Sequence, residues 1–143
     1  MMRQHARTGE VHVRIRLTNY TDAENAQQGL LDPQNVRSCE VDAIVDTGSN
    51  RSVIPLHVAQ QLGLHVREEG FAALADGRVV PAGIGSAVAI HIEGRKAVEE
   101  PFVLGNEVLL GQIALAATDL QVDCSALKVI PNPKHPEGPV FRI

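Results

Sequence analysis

The segment from residue 41 to residue 64 contains the feature that most constrains this chain. An apolar run that ends at Val45 is followed at once by Asp46, and apolar residues resume at Val53. A carboxylate at the end of a buried strand is costly, because burying an unpaired charge either raises its pKa or destabilises the fold. Asp46 therefore belongs either to an exposed turn or to a functional site.

The tetrapeptide Asp46, Thr47, Gly48 and Ser49 has two interpretations. Asp, Gly and Ser are standard turn residues, so the four residues would form an ordinary turn between two strands. Alternatively, Asp46 is a catalytic carboxylate and the Thr47 hydroxyl supports the loop. Gly48 would then let the backbone approach the reacting groups closely, and Ser49 would donate a hydrogen bond to the carboxylate.

These residues resemble the active-site loop of the retropepsin-like aspartic proteases, in which hydrophobic residues lead into Asp, Thr, Gly and then Ser or Ala. A second signature of that family, a hydrophobic run ending in glycine, is similar to Leu110 and Gly111. By itself that run is typical of a buried strand ending in a turn. The resemblance covers about Val11 to Pro133 and is greatest to small bacterial and archaeal single-domain members. It implies a mainly β fold, a closed barrel with one or two short helices and a flap hairpin.

The residues from 71 to 92 predict a β-hairpin, with Asp76 and Gly77 as its turn dipeptide. On the sequence alone this is an ordinary surface hairpin. The resemblance implies that it is the flap, in which Ala75, Asp76, Gly77 and Arg78 would bind substrate. Closure of a flap excludes water and holds the substrate backbone.

Local patterns predict the remaining elements. Alternating apolar residues predict a strand from Val11 to Leu17. Residues Asn19–Ser38 are polar and predict a long excursion with at most a helical turn at Ala23–Gln28, either a solvated insertion or the rim of a cleft. The other predicted elements are strands Val36–Val45 and Ser52–Ile54, a helix at Leu56–Leu62, a strand Val98–Leu104, a helix Ile113–Thr118 and a strand Leu120–Ile130.

The chain of 143 residues with 44% hydrophobic residues is long enough for one domain with one core. We assign residues 1–131 to the protease-like domain. Residues 132–143 form a proline-rich tail, for which no regular structure is predicted.

Composition argues against several function classes. The net charge is -4 and the basic residues are scattered, which disfavours nucleic-acid and membrane-surface partners. The N-terminus has no apolar signal core, and no apolar run reaches membrane-spanning length. Cys39 and Cys124 lack the spacing of a zinc site. We therefore expect a cytoplasmic protein with no metal and no cofactor.

The mechanism implied by the resemblance needs two carboxylates that share one proton. This chain contains a single Asp-Thr-Gly sequence. The expectation is therefore a homodimer with twofold symmetry, in which each chain contributes Asp46 to one site that cleaves peptide or protein substrates. Asp42 lies on the same strand face but about 13 Å away, so it is predicted to be an exposed carboxylate rather than the partner.

Two alternatives remain open on the sequence. The chain could be a catalytically weak or inactive peptide-binding or dimerisation module with the same fold. It could also be a small β-barrel interaction domain in which the motif is accidental. Two departures from the family matter here: the Asn19–Ser38 excursion is unusually long, and Gln112 stands where retroviral members have an arginine that braces the loop.

Overall fold

The computed structural model describes residues 9–143, apart from the side chain of Glu69, and shows a mainly β protein with three short helices in that part of the chain. Residues 1–8 of the predicted domain lie outside the described residues. The strands are β1 His12–Asn19, β2 Ser38–Val45, β3 Val53–Ile54, β4 Val66–Ala73, β5 Val79–Gly85, β6 Val88–Ile92, β7 Arg95–Glu99, β8 Phe102–Val103, β9 Val108–Leu110, β10 Leu120–Asp123 and β11 Lys128–Pro131. The helices are α1 Tyr20–Gln27, α2 Leu56–Gln61 and α3 Gln112–Thr118, and a 3-10 turn spans Pro33–Asn35.

Nine strands form one sheet in the order β4-β5-β8-β3-β9-β2-β1-β6-β7, and β10 pairs with β11 in a separate hairpin. In β1, Ile15 and Leu17 are buried while Arg14 and Arg16 are exposed. Successive side chains of a strand point to opposite faces, so one face of β1 joins the core. The core is aliphatic, and its largest fully buried side chains include Leu17, Ile54, Leu62, Ile90, Ile92 and Leu110.

The predicted closure of the barrel is wrong. Strands β4 and β7 lie at the two ends of the sheet, and within the described residues each pairs with one neighbour alone, β5 and β6 respectively. The sheet is therefore open and curled. The reason is that β7 packs against α3, and Arg95 of β7 donates hydrogen bonds to the carbonyls of Thr118 and Asp119 at 3.0 and 2.9 Å. Contacts with α3 therefore stabilise β7 in place of a pairing with β4, the strand at the other end of the sheet.

Residues Asn19–Ser38 are more ordered than the sequence predicts. The side chain of Asn19 caps α1 by accepting a hydrogen bond from the Asp22 amide at 3.0 Å. The buried Asp22 carboxylate accepts two hydrogen bonds from the Arg37 guanidinium, at 2.8 and 3.0 Å. These bonds lower the pKa of Asp22. Where the sequence predicts at most a helical turn at Ala23–Gln28, the structure has the helix α1, Tyr20–Gln27. The bonds of Asn19 and Arg37 hold the two ends of the segment Asn19–Ser38.

Two predicted strands are each divided. The predicted strand Val98–Leu104 is the end of β7 followed by β8, with Pro101 between them, because proline has no N–H to continue a ladder. The predicted strand Leu120–Ile130 is the hairpin of β10 and β11. The predictions of β1, β2, β3, α2 and α3 are confirmed.

The tail from residue 132 to residue 143 contains no helix or strand, as predicted. It is nevertheless attached, because the Arg95 guanidinium donates a hydrogen bond to the His135 carbonyl at 2.8 Å. The division of the chain at residue 131 stays a prediction. Within residues 9–143, no helix combines the length and the apolar character that a membrane span requires.

Candidate active site

Asp46 begins the loop that joins β2 to β3, and β9 fills the space between these two strands. Strand β9 is parallel to β2 and antiparallel to β3. The Asp46 amide donates a hydrogen bond to the Leu110 carbonyl at 2.9 Å. The strand that ends at Leu110 therefore passes directly beside the Asp46 loop before α3 begins.

The start of α3 holds the second half of the loop. The Gln112 amide donates to the Ser49 carbonyl at 2.7 Å, and the Ile113 amide donates to the Asn50 carbonyl at 2.9 Å. The first amides of a helix have no partner within the helix, so these loop carbonyls satisfy two of them. The loop is thus fixed by main-chain bonds that do not depend on the side chain of Gln112.

Gly111 is required by the close approach of α3 to the loop. A Cβ atom at this position would lie 2.8 Å from the Asn50 oxygen and from the Arg51 carbonyl carbon. The Gly111 amide also donates a hydrogen bond to the hydroxyl oxygen of the buried Ser52, at 3.0 Å. The glycine of the second signature therefore has a steric role next to the Asp46 loop, and it does not line the cleft.

The four predicted loop residues occupy different environments. Asp46 is half-buried, and its Oδ1 atom accepts a hydrogen bond from the Gly48 amide at 3.1 Å. The sequence predicts that the Ser49 hydroxyl donates to the Asp46 carboxylate. In the structure it donates to the Arg51 carbonyl instead, at 2.6 Å. Thr47 is exposed, and in the described part of the chain its hydroxyl has no hydrogen bond.

Asp46 lies at a cleft of about 840 Å³. One side is the loop after Asp46, and the facing side is the end of the β4–β5 hairpin. Segment Asn19–Ser38 contributes no described residue to the cleft, so it is not its rim. The lining residues are mostly apolar and include Val53, Ala72, Leu74, Phe102, Leu104, Leu109 and Ile113.

The predicted hairpin is present, but its tip is only partly at the cleft. Ala75 lines the cleft, whereas Asp76, Gly77 and Arg78 do not. The Arg78 amide and guanidinium donate to the Asp76 carboxylate at 3.0 and 2.7 Å, which lowers the pKa of Asp76. Gly77 has a φ of 87°, a conformation that glycine adopts without strain.

Asp42 is not a second carboxylate of the cleft. Its side chain is 58% exposed and contacts His12, with Oδ2 lying 2.7 Å from Nδ1. This contact, together with Glu10 on the other ring nitrogen, raises the pKa of His12. The expectation of an exposed Asp42 is confirmed.

Sequence reasoning missed two charged side chains around the loop. Arg51 lines the cleft with its guanidinium 5.1 Å from the Phe102 ring centre. Buried Glu99 accepts a hydrogen bond from the Ser52 amide at 3.2 Å, and its other oxygen, Oε1, has no partner among the described residues. A charged residue placed between the loop and an apolar strand was the available signal for Arg51. Glu99 had no local signal.

Among the described side chains, no three acidic, histidine or cysteine residues are grouped so that they could hold a metal ion. The acidic residues that line the cleft are Asp46 and Glu107. Of these, Asp46 alone is followed by Thr and Gly. One chain therefore places a single Asp-Thr-Gly carboxylate, Asp46, on a hydrogen-bonded loop at a mostly apolar cleft.

The family model described as Aspartyl protease matches residues 33–115, a stretch that contains both the Asp46 loop and Gly111. Because the match covers more than half of the chain, this protein belongs to the aspartyl protease family. No curated protein sequence matches the chain significantly.

One solved structure supports the same fold. The chain is similar to the retroviral protease-like domain of Ddi1 from Leishmania major, with a TM-score of 0.50 and 16% identity, covering 86% of this chain and 90% of that one. A retropepsin-like aspartic protease from Rickettsia conorii gives a TM-score of 0.47 at 16% identity, covering 86% of this chain and 91% of that one. The predicted retropepsin-like fold is confirmed, with an open sheet instead of a closed barrel.

Proposed function

We propose that this protein is an aspartic endopeptidase that acts as a homodimer, with Asp46 of each chain in one shared site. The observation that carries the proposal is the position of Asp46. It lies on a loop fixed by β9 and α3, and it lines a mostly apolar cleft of about 840 Å³. The family of the chain supports the same chemistry.

The reaction follows from two adjacent carboxylates sharing one proton. Like charges in contact cannot both ionise easily, so the pair titrates as a unit. The ionised carboxylate takes a proton from the attacking water, while the protonated one polarises the peptide carbonyl. A single chain supplies one Asp46, and the second carboxylate comes from the partner across a twofold axis.

The β4–β5 hairpin acts in this proposal as the flap. Its residues 72 to 75 line the cleft opposite the Asp46 loop. Movement of the hairpin toward the loop would cover a bound peptide and exclude water from the carboxylates. The proposed partners that bind in this cleft are peptide and protein substrates.

We also propose a cytoplasmic location. Cys39 and Cys124 are both free, as is typical of proteins from reducing compartments.

The test compares the wild type, Asp46→Asn and the control Asp42→Asn. Light scattering at several protein concentrations gives the mass in solution, and mass spectrometry follows cleavage of a mixed peptide library at mildly acidic pH. We expect all three to be dimers, and we expect cleavage by the wild type and Asp42→Asn alone. Cleavage by Asp46→Asn or by a stable monomer would contradict the shared site. A dimer that binds peptides without cleaving them would instead establish a binding module.

A further inference from the structure

Arg51 is the basic residue that lines the cleft, and its guanidinium is held in a defined plane. It lies over the Phe102 ring at 5.1 Å, and its Nη1 atom donates a hydrogen bond to the Glu100 carbonyl at 2.7 Å. Stacking on an aromatic ring and one directed hydrogen bond together restrict the rotation of the side chain.

The rest of the guanidinium is available to a ligand. An arginine side chain has five N–H donors and keeps its charge in proteins. Among the groups that the structure describes, neither Nε nor Nη2 of Arg51 has a hydrogen-bond partner. These two nitrogens form one edge of the planar group, the arrangement that binds both oxygens of a carboxylate.

The surroundings strengthen such a contact. Val53, Phe102 and Leu104 line the same cleft and give it apolar walls. An ion pair gains more energy where the effective dielectric constant is lower than in bulk water. The charged groups at the cleft are Arg51, Asp46 and Glu107, and Asp46 is assigned to the reaction.

We propose that Arg51 determines substrate specificity by binding an aspartate or glutamate side chain of the peptide. The inference rests on the proposed function, since it concerns the substrate of the same cleft. The preferred substrates are then peptides that combine apolar residues with one acidic residue at a fixed distance from the cleaved bond.

The test uses quenched fluorescent peptides that are acetylated and amidated, so that side chains carry their only carboxylates. Glutamate is placed at each position in turn, beside a matched peptide with glutamine there. We expect the wild type to prefer glutamate at one position by about five- to tenfold in kcat/KM. Arg51→Gln should lose that preference, and Arg51→Glu should prefer lysine there.

The matched control is Arg14→Gln, which removes an exposed arginine of β1 outside the cleft and should keep the glutamate preference. If Arg51 only ties the loop to Glu100, Arg51→Gln will slow cleavage of the glutamate and glutamine peptides equally, which overturns the proposal. A preference for free C-terminal carboxylates over glutamate side chains in a parallel non-amidated series also overturns it.

A binding measurement tests the role of Arg51 independently of whether the protein cleaves peptides. Fluorescence anisotropy with the Asp46→Asn protein measures affinity without cleavage. Tighter binding of the glutamate peptide, lost in the double variant Asp46→Asn with Arg51→Gln, supports the role of Arg51 even if the wild type cleaves nothing. Equal binding of both peptides refutes it even if the wild type is an active protease.

Discussion

The amide of Gly111 donates a hydrogen bond to the hydroxyl oxygen of Ser52 at 3.0 Å, although 59 positions separate them in the chain. This bond joins the start of α3 to the residue before β3, directly after the Asp46 loop. Together with the bonds from Gln112 and Ile113 to loop carbonyls, it holds the loop that carries the catalytic carboxylate of the proposed enzyme.

Gly111→Ala should destabilise the protein by about 1–3 kcal/mol, because its Cβ would overlap main-chain atoms that cannot move aside as a side chain can. Urea unfolding at one fixed protein concentration measures the loss. The control is Gly138→Ala, where nothing lies within 4 Å of the added Cβ. Its stability should stay within about 0.5 kcal/mol of the wild type. Equal losses at the two glycines would contradict the close approach of α3 to the loop.

Ser52→Ala should cost about 1–3 kcal/mol, because it leaves the buried Gly111 amide without an acceptor. Ser125→Ala, at an exposed serine, should be close to neutral. If the proposed function holds, Ser52→Ala should also lower kcat with little change in KM, since the loop is displaced while the peptide-binding walls remain. A neutral Ser52→Ala would show that this hydrogen bond does not hold the loop.

The flap proposal is tested by two matched glycines. Gly77 and Gly94 have φ values of 87° and 75°, and each has open space around an added Cβ. Alanine in this conformation should cost about 1–2 kcal/mol at either position. Only Gly77→Ala, in the hairpin at the cleft, should also lower kcat/KM in the peptide assay. An equal loss of activity in both variants would mean that the β4–β5 hairpin has no special part in binding substrate.

Asp119 gives a pH-dependent prediction. Hydrogen bonds from the Asn132 side chain and the Val140 amide, with His135 beside it, lower the pKa of Asp119 from 3.8 to about 2. A lowered pKa means that the ionised carboxylate stabilises the folded state above its ordinary pKa. This contribution is lost as the pH falls from about 4 toward 2.

The measurement is the difference in unfolding free energy between the wild type and Asp119→Asn, taken from neutral pH down to about 2. The wild type should be more stable at neutral pH, and the difference should shrink below pH 4. Asn132→Ala removes the hydrogen bond that lowers the pKa of Asp119 most, so its pH-dependent loss of stability should be smaller and should end at a higher pH than in the wild type. A difference that is constant over the whole range would exclude this role of Asp119.

Structural features that depend on residues close together in the sequence could be predicted. The Asp46 loop, the short helix before Gly63 and the hairpin turn at Gly77 all have local signals, and the structure contains them. Glycine at the end of a helix or in a tight turn reports a backbone conformation directly, because other residues adopt a positive φ at a cost.

The hairpin of β10 and β11 shows where local patterns failed. Its turn ends at Leu127, which has a φ of 53° with no glycine to mark it. The available signal was Asp123, whose carboxylate accepts hydrogen bonds from the Ser125 and Ala126 amides at 3.0 Å. An aspartate that binds amides two and three residues later initiates a turn.

The sequence by itself determined the catalytic candidate Asp46, the strand leading to it and the family resemblance, because these features lie within short segments. The tertiary structure alone decided that β9 lies between β2 and β3, that the sheet stays open and that Arg51 stacks on Phe102. Such contacts join residues far apart in the chain. Their free energy depends on which surfaces meet after folding, and a local pattern of residues does not contain that information.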